Sequence, residues 1–128
     1  DGKKDGKWTW FDNDGQIRQE ANYINGKKDG VSIEWIVHDE LKESEKNYKD
    51  GKLHGEFTEW HDTGGKKTEG YFINDEPHGY FTFTHYYGDT SSNLFVDGEL
   101  VGYAGDDDEW TYTELGHKLM SKIMSEDD

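Results

Sequence analysis

The chain contains no cysteine, which removes any disulfide framework and any thiol nucleophile or thiolate metal ligand. It has a single proline, so polyproline segments are excluded, and no apolar run approaches the ~18 residues of a membrane-spanning helix. Between Thr68 and His117 there is no lysine or arginine at all. That gap argues against nucleic-acid binding, which needs a basic stripe to neutralise phosphates, and against docking on anionic lipid. Hydrophobic residues make up only 30% of the chain and the formal net charge is −15, a combination that by itself reads as disorder. The aromatic residues reverse that reading. Five Trp, eight Tyr and six Phe each bury roughly 150–250 Å² when packed. A core built from few, large, regularly spaced side chains suits a thin structure better than a thick globule.

The charge is unevenly placed. Residues 1–67 carry 12 basic against 15 acidic side chains, whereas residues 68–128 carry 2 against 14. The acidic half is therefore the half with a distinct electrostatic character.

One short phrase recurs. "NGKKDG" at residues 25–30 has relatives in "DGKKDG" from Asp1, "DGKLHG" from Asp50, "NDEPHG" from Asn74 and "DGELVG" from Asp97. Their closing glycines, Gly6, Gly30, Gly55, Gly79 and Gly102, follow one another at 24, 25, 24 and 23 residues, and a fixed period in this range marks a repeat architecture. Each unit continues with an aromatic run ("KWTWF", "VSIEW", "EFTEW", "YFTFTHYY") and a second turn ("DNDG", "HDE" from His38, "DTGG", "YGD"). A polar strand follows, ending in Tyr23, Tyr48, Phe72 or Phe95. Asn, Asp and Gly supply positive φ cheaply at the turns, and aromatic, Thr and Ile residues favour strands between them. The unit reads as a β-hairpin and the array as an antiparallel meander, with Pro77 expected in a turn. The glycines and most of the aromatics serve this fold, and Trp60 is expected to be a core ring. From Thr111, "TYTELGHKLMSKIM" reads as an amphipathic helix. Thr111 and Glu114 have capping-box spacing, Leu115, Leu119 and Ile123 recur at i, i+4 and i+8, and Met120 and Met124 lie beside them. Such a helix after a repeat array is a cap, or else a partner-docking element. The expected fold is mostly β, a hairpin repeat sheet over residues 1–105, followed by an acidic linker and short capping helix over 106–128.

The stretch "DGKKDGKWTWFDNDGQIRQEANYINGKKDG" resembles the variant MORN repeat, whose units read roughly G-x-x-x-G-x-[WF], a glycine-containing turn, and an aromatic before the next G-K-x-x-G. The likeness spans about residues 1–105 and is similar to bacterial proteins of the YwqK type, a group of antitoxins and toxin-immunity proteins. It implies a non-enzymatic, protein-binding role. Departures occur at Asp75, where other units have glycine, and at Ser32 and Ile33, where the first unit has Trp8 and Thr9.

Catalytic constellations with convincing spacing are not found: there is no G-x-S-x-G, no phosphate-cradling glycine loop and no H-E-x-x-H. "DNDG" fails as a calcium loop, because placing Gly15 at position six puts Trp10 first and Ala21 twelfth. His54 and His78 occupy equivalent positions one hairpin apart, roughly 9.5 Å, too far for easy sharing of one zinc. His61 and His85 are read as exposed polar residues. No cofactor, metal site or catalytic residue is expected.

Residues 68–117 hold 11 acidic and 11 aromatic side chains. A dense acidic field steers and positions a basic partner, and Tyr and Trp anchor interfaces. The candidate partner-binding residues are Glu76, Tyr86, Tyr87, Asp89, Asp97, Glu99, Asp106, Asp107, Asp108 and Glu109, and the expected partner is a basic toxin occluded without covalent chemistry. The alternatives are solubility charge guarding the sheet edges, and a structural scaffold binding proteins or, less favourably, lipid. The chain opens on Asp1 inside a repeat turn, as a piece of a longer protein would. The expected location is the cytoplasm, with the envelope or secretion as alternatives.

Overall fold

Four two-residue turns set the architecture. Asn25–Gly26, Asp50–Gly51, Asn74–Asp75 and Asp97–Gly98 have φ between 48° and 85° at all eight positions. Positive φ at both central residues is the signature of the type I′ turn, whose twist matches that of the strands it joins. The computed structural model describes residues 2–36 and 41–126, with side chains described as far as Lys122; the turn read at His38 and the side chains of Ile123 and Met124 lie outside the described residues.

Eleven strands follow in order: β1 (Gly6–Phe11), β2 (Ile17–Ile24), β3 (Lys27–Ile36), β4 (Leu41–Lys49), β5 (Lys52–Trp60), β6 (Lys66–Ile73), β7 (Glu76–Pro77), β8 (Gly79–Thr84), β9 (Thr90–Val96), β10 (Glu99–Ala104) and β11 (Trp110–Tyr112), then helix α1 (Glu114–Glu126). They form one antiparallel sheet in sequence order, with β7 and β8 both paired to β6. The meander and the single C-terminal helix match the expected fold class. The boundary expected at 105/106 falls in the β10–β11 loop, and Trp110–Tyr112 continue the sheet against Gly102–Ala104.

Three local readings are corrected. The repeating glycines Gly30 and Gly55 do not close the turns; they lie inside β3 and β5, at φ 98° and 119°, beside β-bulges opposite Asn22 and Asn47. There the Asn22 amide donates to the Val31 carbonyl and the Asn47 amide to the Glu56 carbonyl, both at 3.0 Å, replacing ladder bonds the bulge breaks. Pro77 lies in β7 opposite Phe72 rather than in a turn, and the strand that is continuous in the earlier units is split there into β7 and β8. A residue without an N–H cannot sustain the ladder. Finally, Thr111 and Tyr112 belong to β11. The helix starts later, capped by Thr113, whose hydroxyl accepts from the Gly116 N–H at 3.0 Å.

Register and side-chain alternation sort the residues onto two faces. Trp8, Trp10, Ala21, Tyr23, Ser32, Ser44, Phe57, Thr68, Phe72, Phe81 and Phe95 share the first. The small residues Ala21, Ser32, Ser44 and Thr68 are buried there among the rings. Phe57, Phe72, Phe81 and Phe95 form an edge-to-face file with centroids 5.2, 5.3 and 5.4 Å apart. Phe81 fits because Gly70 lies beneath it: a Cβ on Gly70 would stand 2.3 Å from the ring. Lys46 Nζ lies 5.7 Å from the Phe57 centroid, and Lys28 Nζ 5.0 Å from that of Tyr48. Helix α1 covers the other face at the C-terminal end, where Leu94, Val96 and Val101 meet Leu119 and Met120. Trp60 is half-buried under Lys42 rather than enclosed as a core ring.

Candidate protein-docking end of the sheet

A meander sends alternate connections to opposite ends of the sheet. The type I′ turns gather at one end, and the loops β1–β2, β5–β6, β8–β9 and β10–β11 at the other. The first three of these loops share one geometry. Asp12, His61 and His85 each donate through the backbone N–H to the residue four positions on, and each carbonyl accepts from Gly15, Gly64 or Gly88. In "DNDG" the Asp12 carboxylate is engaged locally, its Oδ1 accepting from Asp14 N at 2.8 Å and Gln16 N at 3.1 Å.

The β8–β9 loop presents Tyr86 and Tyr87, 59% and 93% exposed, with ring centroids 5.5 Å apart and edge-on. Adjacent aromatic side chains facing water make a candidate interaction surface. Asp89 closes this loop through its carbonyl, which accepts from His85 N at 2.7 Å, and its side chain is exposed.

The neighbouring β10–β11 loop carries the acidic run. Asp106 Oδ1 accepts from the backbone N–H of Thr90 at 3.2 Å and from its hydroxyl at 3.4 Å, tying the two loops together. Asp107 Oδ1 accepts from Glu109 N at 3.1 Å. Asp108 adopts φ 59° and donates its N–H to Gly105 O. Asp107, Asp108 and Glu109 are all exposed. Tyr86, Tyr87, Asp89 and Asp106–Glu109 thus stand at one end of the sheet.

Glu76, Asp97 and Glu99 do not join them. They sit at the type I′ end, where Glu76 and Asp97 line a shallow groove with Lys52, Asn74 and His78. The seven residues of β9 separate the two ends by roughly 23 Å. The eight acidic candidates group together in the sequence because they share a sign of charge; the topology divides them.

Sequence reasoning missed His61. It is half-buried, its Nε2 lies 2.6 Å from the Thr84 carbonyl, and its ring meets Tyr86 edge-on at 5.8 Å. It supports the tyrosine from beneath instead of standing free. The 24-residue interval between His61 and His85 was the available signal, since it places both at the start of equivalent loops. Among the described residues no group of three His, Asp or Glu side chains is arranged to hold a metal ion. Among the described residues no helix is long and apolar enough to cross a membrane.

The repeat can now be compared with known families. Residues 4–25 and 53–74 match the family described as MORN repeat variant. Two units of the array are thus similar to MORN repeats. The two matches lie 49 residues apart, two units in the same phase, and each ends at the Asn of a type I′ turn. MORN repeats are protein- and lipid-binding modules. No curated protein matches the chain at a significant level.

Proposed function

We propose that this MORN-repeat chain is a non-enzymatic protein-binding module that docks a basic protein against its loop end, and that the partner is a toxin silenced by occlusion. The observation that carries this reading is the pair Tyr86 and Tyr87, exposed on a loop that is tied at Thr90 to the Asp106–Glu109 run. Tyrosines supply rigid contact area, and the carboxylates around them supply steering and register. Asp89, Asp107, Asp108 and Glu109 contact the partner, while Asp106 holds the loops. Glu76, Asp97 and Glu99 belong to the remote end and contribute long-range field.

The test is affinity capture from lysate of the native source, using the unaltered chain beside the Tyr87→Ala and Glu109→Lys forms, with washes at low and high salt. A single basic protein retained by the native chain, lost from both variants and released by salt supports the reading, and its activity is then assayed with and without the module. The alternative is a scaffold role, in which partners are held by exposed rings such as Tyr80 and Tyr103, and such an interface resists salt. Partners that survive the high-salt wash and ignore both variants would replace the toxin-occlusion reading with that one.

A further inference from the structure

At the N-terminal end of the first face, three rings converge on one ammonium group. Lys4 Nζ lies 5.1 Å from the Trp8 centroid, 5.1 Å from that of Trp10 and 5.0 Å from that of Tyr23. The rings are neighbours, with Trp8–Trp10 centroids at 6.4 Å and Trp10–Tyr23 at 6.3 Å. The backbone explains the convergence. Trp8 and Trp10 are two residues apart on β1, and Gly6 pairs with Tyr23 across the β1–β2 ladder. The Lys4 carbonyl accepts from Gly26 N at 2.8 Å, which fixes the base of the lysine beside the cage. Trp8 is 41% exposed, so the cage opens to solvent.

Lys28 and Lys46 each meet a single ring, whereas Lys4 meets three, and several π-faces set around one cation are the arrangement that recognises quaternary ammonium groups. The three side chains offer π-faces and, in the Tyr23 hydroxyl, a single oxygen, which suits a cation that has no N–H to satisfy. We propose that Trp8, Trp10 and Tyr23 form a binding site for a quaternary ammonium group, and that Lys4 is a tethered stand-in which the ligand displaces. The ligand class is a trimethylammonium compound of the choline type, free or as a lipid headgroup. The site lies on β1 and β2, away from the tyrosine loop, and does not depend on the docking proposal.

The experiment is a tryptophan-fluorescence titration of the Lys4→Ala and Lys4→Gln proteins with choline chloride, against sodium chloride at matched ionic strength. Two replacements guard against one failing to fold. A saturable response with Kd on the order of 1 mM is expected. The native chain should respond about tenfold more weakly, because Lys4 competes as a tethered group. Trp8→Ala in the Lys4→Gln background should abolish the response. The neutral isostere 3,3-dimethyl-1-butanol should bind at least ~10-fold more weakly, since it keeps the shape and lacks the charge that the rings attract. Co-flotation with phosphatidylcholine vesicles would assign the group to a lipid headgroup; a choline response without flotation would assign it to a soluble compound. Equal binding of choline and the isostere, or a folded Lys4 variant with no choline response, overturns the proposal.

Discussion

Leu53 and Asp75 bind each other through both ends of a backbone unit: Leu53 N–H donates to Asp75 Oδ1 at 2.7 Å, and Asp75 N–H donates to Leu53 O at 2.9 Å. The second bond has counterparts from Gly26 to Lys4 and from Gly51 to Lys28, both 2.8 Å. It is the device that fastens the first three turns to the preceding unit. Where the other turns use glycine at φ near 85°, Asp75 holds φ 70°, and its carboxylate adds a second tether that offsets the strain.

Asp75→Ala should therefore cost about 2–3 kcal/mol, since it keeps the left-handed backbone and loses a charge-assisted hydrogen bond. Asp75→Gly should cost only about 1 kcal/mol, because glycine relieves the strain. Urea-denaturation midpoints rank the two: the gap between Ala and Gly reads the left-handed strain, and a Gly form more stable than the native chain would mean the carboxylate tether carries no weight.

Gly116→Ala should destabilise the protein by about 2 kcal/mol or more, although alanine is the better helix former by ~1 kcal/mol. The added Cβ would stand 2.0 Å from the Val101 carbonyl oxygen, so α1 would have to lift from β10. Thermal melts read the sign directly.

Phe81→Ala should cost about 3–5 kcal/mol: the ring is buried, seated on Gly70 and flanked by Phe72 and Phe95. Trp60→Ala should cost less, about 2–3 kcal/mol, because part of the transfer term is already forfeited to solvent. Equal losses at the two positions would mean the ring file is not the core.

Asp106→Asn and Glu109→Lys separate support from contact. The first weakens the tie to Thr90 and should lower the melting temperature slightly. The second touches an exposed side chain and should leave the melt unchanged while weakening capture of a basic partner.

Burial raises the Tyr48 hydroxyl above its ordinary 10.0, with the charges of Glu34 and Asp75 adding to the effect. The folded state thus keeps a proton that the unfolded chain has already released. This contribution is complete below about pH 10 and is lost as pH climbs through the higher folded value. Urea midpoints measured between about pH 8 and pH 11.5 should fall less steeply for Tyr48→Phe than for the native chain.

The 24-residue period, the Asn/Asp–Gly turns and the alternation of rings were all legible in the sequence, because turn chemistry and the two-residue pleat act over a few neighbouring positions. "NDEPHG" was still readable as a turn although Asp75 replaces glycine. What the repeat could not disclose was the office of each glycine within it. Gly30 and Gly55 serve bulges, Gly70 makes room for Phe81, and Gly116 admits the Val101 carbonyl; in each case the reason is an atom on another strand or element. Thr111 illustrates the same limit. Its capping-box spacing is genuine as a local signal, yet pairing of Trp110–Tyr112 with β10 takes those residues into the sheet and leaves the cap to Thr113.

By itself the sequence determined a hairpin repeat, an aromatic core of low mass and an acidic second half, since period, propensity and charge are properties of the chain. Only the tertiary structure decided which carboxylates share a surface and which rings share a cation. A meander places residues one strand apart in sequence at opposite ends of the sheet, and residues two loops apart side by side. Asp106 therefore meets Thr90 while Asp97, closer along the chain, stands at the far end. Lys4 and Tyr23 meet because β1 and β2 fold back on each other, a proximity that distance along the chain does not encode.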